Sequence, residues 1–256
     1  MQTQDSTVLI TGASSGLGLA CTERWLQRGG RVLGLDLAPA PPSSASQPAD
    51  RYCHIQADVT DADAVQSALA QAAQQLGPIR GAICCAGILH GERVVGRDGP
   101  ASLDAFRRVL EVNVVGTFNV VRLVADAIAH QPTSDRDAEP GTDRGVIVMT
   151  ASIAAFEGQI GQSAYSASKG AIAAMTLPMA RELARHAIRV VSIAPGVFET
   201  PMMRSASEKV RQPLLDMAVF PKRFGLPEEF ASLVEHVFEN PMLNGTVLRL
   251  DGSLRM

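Results

Sequence analysis

Thr7-Val8-Leu9-Ile10-Thr11-Gly12-Ala13-Ser14-Ser15-Gly16-Leu17-Gly18 is the stretch whose reading settles the fold class. A β-branched, apolar run enters a glycine-rich turn, and a helical pattern near 17–28 follows at once. In a strand–turn–helix unit each glycine has its own task. Gly12 permits the tight turn, Gly16 lets the backbone approach a pyrophosphate, and Gly18 lets helix and strand pack closely. Ser15 and Leu17 stand with Gly16 and Gly18 at the start of the helix, whose N–H groups and positive dipole end favour an anion. Three glycines in a loop are common. Their place between the first strand and first helix of an alternating chain gives them meaning.

The alternation continues outward. Short apolar runs at 7–11, 31–36, 53–56, 81–85, 145–150, 189–194 and 246–250 read as strands. Helical patterns lie between them, near 17–28, 61–76, 102–130, 163–186 and 227–239. Strands this apolar are expected to be buried on both faces. The fold class is therefore α/β, a single-domain Rossmann-type doubly wound parallel sheet flanked by helices. Segments 38–50 and 131–144, rich in Pro, Ser, Asp and Gly, read as surface loops because the alternation resumes directly after each. One domain thus spans 1–256.

Composition narrows the partners. The chain is 46% hydrophobic and 19% charged, which describes a globular protein, and its net charge of -3 offers no basic field for nucleic acid or an anionic membrane. The polar start followed by a short apolar stretch gives no secretory or transit signal, and no apolar run approaches the ~20 residues of a bilayer span. The expectation is a soluble cytoplasmic protein. Cys21, Cys53, Cys84 and Cys85 form no CxxC pair, and Cys84 and Cys85 read as small buried hydrophobes. The five histidines share no ligand spacing, so no metal is assigned. Trp25 reads as core, and Asn244-Gly245 as a turn before the last strand.

The second strand ends at Asp36, 18 residues after Gly18. A carboxylate there accepts hydrogen bonds from ribose hydroxyls and repels a 2′-phosphate. Ser14, Ser15, Leu37 and Ala38 bring no cation, so the cofactor read from these residues is NAD, not NADP; the plainer reading is a solvated strand-end carboxylate. Asp58 and Val59 close the third strand where an adenine ring would lie. They also fit a helix start, with Thr60 as the cap and Asp61 and Asp63 in the first turn. Cys85-Ala86-Gly87 ends the fourth strand at the carboxyl edge, where open α/β sheets bind ligands.

Tyr165 and Lys169 are spaced i, i+4 on a predicted helix and share a face. A phenol of pKa about 10 exchanges protons poorly near neutrality, and a nearby cation lowers that value. Tyr165 can then give a proton to a carbonyl or take one from an alcohol. Ser152, 13 residues earlier and just past a strand end, can hold the same oxygen.

The ordered set TGxxxGxG at 11–18, Asp36, Asn113, Ser152 and YxxxK at 165–169 resembles the short-chain dehydrogenase/reductase family over nearly the whole chain. The resemblance implies roles residue by residue. Ser152 orients the substrate oxygen, Tyr165 is the general acid/base, and Lys169 lowers the tyrosine pKa and binds the nicotinamide ribose. Asn113 bends its helix and holds a water linking Lys169 to solvent. Pro195, Gly196 and Thr200 match the family's PGxxxT segment, with Thr200 and the Phe198 backbone near the carboxamide. Tetramers form through the helices bearing Asn113 and Tyr165, which makes a homotetramer the expected assembly. One departure stands out: the family's Asn-Asn-Ala-Gly is Cys84-Cys85-Ala86-Gly87 here, which keeps backbone contacts at Cys85 and Gly87 and loses the asparagine side chains.

Within the family, 112–125, 150–177, 193–201 and 220–256 are similar to members that act on 3-hydroxyacyl-CoA and hydroxysteroids. That implies NAD-linked interconversion of 3-hydroxyacyl-CoA and 3-ketoacyl-CoA. A hydroxysteroid or other secondary alcohol is the alternative, and a non-catalytic NAD-binding regulatory protein, a class that typically loses the Tyr or Lys, is a third. A substrate lid is expected around 197–226, where Met202, Met203, Leu214, Leu215, Met217, Val219 and Phe220 either cover an acyl chain or pack a helix pair on the core. Arg204, Lys209, Arg211, Lys222 and Arg223 in that region read as CoA-phosphate contacts or as a solvated face. Gln159 and Gln162, between Ser152 and Tyr165, are candidate substrate-cleft residues.

Overall fold

The computed structural model describes residues 1, 3–41, 47–132 and 141–256. The first half of the alternation runs β1 (Thr7–Thr11), α1 (Gly16–Gln27), β2 (Arg31–Asp36), β3 (Tyr52–Gln56), α2 (Ala62–Leu76) and β4 (Ile79–Cys84). A short antiparallel ribbon, β5 (Val95–Gly96) and β6 (Gly99–Pro100), precedes α3 (Leu103–Leu110) and α4 (Thr117–His130). The second half is β7 (Gly145–Thr150), α5 (Ala154–Glu157), α6 (Ser163–Leu183), β8 (Ile188–Pro195), α7 (Pro201–Arg204), α8 (Glu208–Asp216), α9 (Pro227–Glu239) and β9 (Val247–Leu250). Seven strands form one parallel sheet in the order β3-β2-β1-β4-β7-β8-β9. The order reverses between β1 and β4, and a crevice opens at their carboxyl ends.

Period-two alternation decides what each strand packs against. Leu9, Leu33, Leu35, Ile147 and Met149 face α2, α4 and α6. Val8, Ile10, Val32, Val146 and Val148 face the opposite side, under α1 and α9. Trp25 meets Phe238 edge-on at 4.6 Å and donates its indole N–H to the Ser6 carbonyl at 3.0 Å, so it is core as read.

Some boundaries move for physical reasons. β4 starts at Ile79 rather than 81, because Gly81 is interior: a Cβ there would strike the Val146 carbonyl and the Phe238 ring. Cys85 falls just past the strand. The cap of α2 is Asp61, which accepts from Ala64 N–H at 3.0 Å, while the Thr60 hydroxyl donates to Asp58 at 2.8 Å. The run 102–130 is continuously helical but carries a π-helical turn, Glu111–Gly116, between α3 and α4. By length and composition Leu103–His130 is apolar enough to cross a membrane, yet over half of its most apolar stretch is buried in the protein. The run 163–186 ends in a 3₁₀ turn, Ala184–His186. Asn244 accepts from Val190 N–H at 2.9 Å and Gly245 takes φ +67, so this pair is the turn before β9. Of the two expected loops, 42–46 and 133–140 lie outside the described residues.

Candidate active site

The crevice is a cleft of about 470 Å³ at the carboxyl edge of the sheet. Gly12 (φ +66) and Gly16 (φ +53) hold backbone geometry that L side chains resist. A Cβ on Gly12 would stand 3.0 Å from Ala86 N, and one on Gly18 would overlap the Gly12 carbonyl. The glycines therefore let β1, α1 and the end of β4 approach each other. Ser15 gives α1 no side-chain cap, and no acidic residue occupies the first turn. A pyrophosphate fits this cradle, facing Gly16, Leu17 and Gly18 at an uncapped positive helix end.

Thr11, which was not singled out from the sequence, ties this cradle together. Its buried hydroxyl oxygen accepts from Cys85 N–H at 3.1 Å and Ala86 N–H at 3.0 Å, joining β1 to the segment after β4. At the far end of the cleft Asp36 is half-buried and accepts from Ser14 N–H and Ala38 N–H, each at 2.9 Å. Asp58 and Val59 also line the cleft. The Thr60 backbone N–H, with burial opposing and the Thr60 hydroxyl and Arg108 assisting, holds the Asp58 carboxyl below its ordinary range. The helix-start reading of Asp58 thus holds, except that the cap belongs to Asp61.

Ser152, Tyr165 and Lys169 meet at the inner end, with Phe198, Thr200, Cys85 and Gly87 in the same wall. α6 carries Tyr165 and Lys169 on one face, and the turn after β7 supplies Ser152. Burial pushes the Tyr165 phenol above its ordinary value, and the hydrogen bond with Ser152 pulls the other way. The net direction is thus upward, where the resemblance implied a lowered phenol. The ammonium instead donates to the Thr150 carbonyl at 2.7 Å and stands 5.7 Å from the Tyr165 ring centre. Burial brings Lys169 down to about 8, with the Cys85 and Cys84 sulfurs acting in the opposite sense.

Asn113 lies in the π-helical turn, fully buried. Its amide accepts from Ile88 N–H at 2.8 Å and donates to the Ile88 carbonyl at 2.9 Å and to Ser168 Oγ at 3.0 Å. Ser168 in turn donates to the Tyr165 carbonyl at 2.7 Å. Asn113 thus ties the π-helical turn to Ile88 and braces α6 through Ser168. Gln162 lines the cleft, whereas Gln159 does not: its N–H donates to Gln162 Oε1 at 3.0 Å. Cys84 is buried as read, but Cys85 is half-buried and lines the cleft. Met256 also lines it, tied by its N–H to Glu157 at 3.2 Å; nothing in its sequence neighbourhood signals this.

A helix-end cradle for a dinucleotide, opening beside a Ser–Tyr–Lys group, defines an oxidoreductase that works with a bound nucleotide. The chain belongs to the short chain dehydrogenase family, whose model matches residues 6–211. It is closely related to 3-hydroxyacyl-CoA dehydrogenase type-2, being 47% identical to the Homo sapiens protein over 251 residues, 97% of this chain and 94% of that one. The Drosophila melanogaster protein of the same name is 43% identical over 257 residues, 99% and 98% of the two chains. The crystal structure of 3-hydroxyacyl-CoA dehydrogenase type-2 from Mycobacterium avium superposes with a TM-score of 0.87 at 37% identity, covering 100% of this chain and 98% of that one. Enzymes of this family generally use NAD or NADP.

Proposed function

We propose that this oxidoreductase uses NAD to interconvert 3-hydroxyacyl-CoA and 3-ketoacyl-CoA. The observation that carries the chemistry is the Tyr165 phenol, hydrogen-bonded to Ser152 inside the nucleotide cleft. In the oxidation direction the substrate hydroxyl sits between Ser152 Oγ and Tyr165 Oη, and the phenolate takes its proton. In reduction Tyr165 returns that proton to the carbonyl oxygen, and the raised phenol is already protonated at neutral pH. Oxidised nicotinamide, which Phe198, Thr200 and Lys169 would hold in this cleft, would supply the hydride acceptor. Lys169 holds its proton up to about 8, keeping a cation on the same wall.

The choice of NAD rests on Asp36. Its carboxylate lines the cleft, and Ser14, Ser15, Leu37 and Ala38 around it carry no cation to receive a 2′-phosphate. The acyl-CoA assignment rests on the names of the relatives and on an apolar wall that includes Leu89, Ile153, Met203 and Met256. The α7–α8 segment is proposed as the lid around 197–226, although Leu214, Ala218 and Phe224 bury themselves as a packed helix pair would. The Met202 side chain lies outside what is described. Arg211 bonds Glu199 and the Met203 carbonyl, Lys222 bonds the carbonyls of Asp216 and Ala218, and Arg223 pairs with Glu229. Arg204 reaches the Glu199 carbonyl at 3.2 Å, so exposed Lys209 is the more available contact for CoA phosphates. Exposed Val115, Phe118 and Leu177 on the helices bearing Asn113 and Tyr165 suit the proposed cytoplasmic homotetramer.

Purified protein should generate NADH absorbance with a 3-hydroxyacyl-CoA, and Tyr165→Phe should abolish it. Normal turnover in that variant would sink the mechanism. A hydroxysteroid would use the same three residues, so kcat/KM measured side by side for the two substrate classes decides between them.

A further inference from the structure

Four charged side chains close into a ring at the end of β9. Arg249 pairs with Glu157 at 2.5 Å and with Asp251 at 2.6 Å, and Arg255 completes the ring with Asp251 at 3.0 Å and Glu157 at 3.7 Å. A lone exposed pair contributes little, but a network of charges fixes geometry. Here it fixes a reversal of the chain. Gly252 (φ +55) and Ser253 (φ +65) both take left-handed backbone, and Leu254 N–H donates to the Asp251 carbonyl at 3.0 Å, so the chain turns back after β9. Arg249 and Arg255 both donate to the Leu254 carbonyl, at 3.3 and 2.7 Å, and the Leu254 side chain is buried.

Segment 251–256 is thereby wedged between the two sides of the cleft. On one side a Cβ on Gly196 would stand 3.0 Å from Asp251 Cα, and Phe220 N–H donates to the Gly252 carbonyl at 3.4 Å, which joins the segment to the lid region. On the other side Met256 N–H donates to Glu157 Oε2 at 3.2 Å. Glu157 closes α5, the short helix whose first residue, Ala154, follows Ser152 and Ile153. Ser152, Ile153, Ala154 and Met256 all line the cleft. Met256 therefore stands at the proton-transfer end and not at the Asp36 end. Glu157 holds its backbone, which leaves the thioether to meet a ligand, and an unbranched, polarisable side chain suits an alkyl surface.

We propose that Met256 determines which alkyl chains the enzyme accepts, and that Glu157 is the residue that positions it. The inference rests on the alcohol-oxidising reading of the cleft. The wall at this end is apolar, built from Ile153, Ala154 and Met256, so it receives the hydrocarbon branch of the substrate and not the charged CoA branch. A short branch lies against the thioether. A long branch has to push the thioether aside, together with a segment that the charge ring pins in place. A methyl group in place of the thioether opens the cleft to longer chains, and an aromatic ring there shortens the chain that fits.

Values of kcat/KM for 3-hydroxybutanoyl-CoA and 3-hydroxydecanoyl-CoA, measured with NAD on the full chain, test this. The long-to-short ratio should rise at least about five-fold in Met256→Ala and fall at least about five-fold in Met256→Phe. A ratio that stays put in both variants, or moves the same way in both, overturns the proposal. NADH affinity by calorimetry should hold within about two-fold in Met256→Ala, and a loss of about ten-fold places Met256 at the cofactor instead. Glu157→Gln should move the ratio in the direction of Met256→Ala and add nothing to it in the double variant, where a merely structural loss would lower kcat on both substrates alike. Fully additive effects overturn the positioning role. If the wild-type chain oxidises neither acyl-CoA, the acyl-CoA reading fails, and the same ratio taken between 2-butanol and 2-decanol still decides Met256.

Discussion

Thr11→Val removes one oxygen and nothing else of comparable size. That oxygen accepts two N–H groups, from Cys85 at 3.1 Å and Ala86 at 3.0 Å. Cys85 N–H keeps a second acceptor in the Thr11 carbonyl at 3.3 Å, so Ala86 N–H is the donor left without a partner. An unsatisfied buried donor costs about 1–3 kcal/mol. For a chain of this length each 1 kcal/mol shifts Tm by about 2–4 °C, so a fall of about 2–12 °C is expected. The same segment backs the Gly12 turn, whose Cβ position is 3.0 Å from Ala86 N, so the cradle loosens with it. If ~1.4 kcal/mol of the penalty falls on the cofactor complex, KM for NAD rises about ten-fold. Circular-dichroism melts and initial rates over an NAD series measure both effects. Thr11→Ser keeps the acceptor and forfeits one methyl, so it should lie much nearer the wild type in both. A Thr11→Val protein melting within about 1 °C of the wild type, or a serine variant as damaged as the valine one, refutes the reasoning.

Asp36→Ala removes charge-assisted hydrogen bonds of about 1.5–3 kcal/mol, so KM for NAD should rise by about ten- to a hundred-fold while NADP gains; an unchanged ratio of kcat/KM for the two cofactors shows that Asp36 was misassigned. Because burial holds the Tyr165 phenol high and brings Lys169 down to about 8, alcohol oxidation should accelerate as pH rises through neutrality, and ketone reduction should stay level until Lys169 loses its proton. Initial rates in both directions check this, and oxidation fastest at acid pH would count against it. Phe238→Ala empties a fully buried site against Trp25 and should cost about 3–5 kcal/mol in urea unfolding; a loss below about 1 kcal/mol contradicts the packing. Glu229 is held down to about 2, first by Arg223 and then by Leu226 N–H, so its stabilisation is present above the ordinary carboxylate range and disappears as pH falls toward that value. Glu229→Gln should lower Tm by only about 1–3 °C at neutral pH, since the pair is well exposed, and the gap should close in acid.

The sheet was legible because seven apolar runs between helices leave few other architectures. The glycine trio, Asp36, Ser152, Tyr165 and Lys169 were legible for a related reason: each is a chemical type in a place where another type fails. What escaped depends on contacts across the fold. Thr150 reads as the last residue of a strand, yet its carbonyl takes the Lys169 ammonium and its hydroxyl meets Cys85. Thr11 is one more β-branched residue until its partners are known. Gly81 looked like a strand boundary because pattern alone does not show the Val146 carbonyl beside it. The raised Tyr165 phenol escaped because spacing reports proximity and says nothing of burial, which dominates both groups. Ribbon β5–β6, with two residues per strand, is too short to show a period.

The wide turn at Glu111–Gly116 has a consequence for phase. A π-helical turn holds one residue more than an α turn, which rotates everything after it by roughly 100° relative to an uninterrupted helix. Upstream and downstream residues are therefore addressed separately. Asn113 is aimed at Ile88 and Ser168, while Val120, Val121, Val124 and Ile128 are aimed at the core between α2 and the sheet. A single helix thus serves two clients whose angular demands no constant repeat could meet. The same extra residue is what a deletion would remove: the turn would relax to an ordinary α turn, the apolar stripe of α4 would stay on the sheet, and the separate aim of Asn113 would be lost.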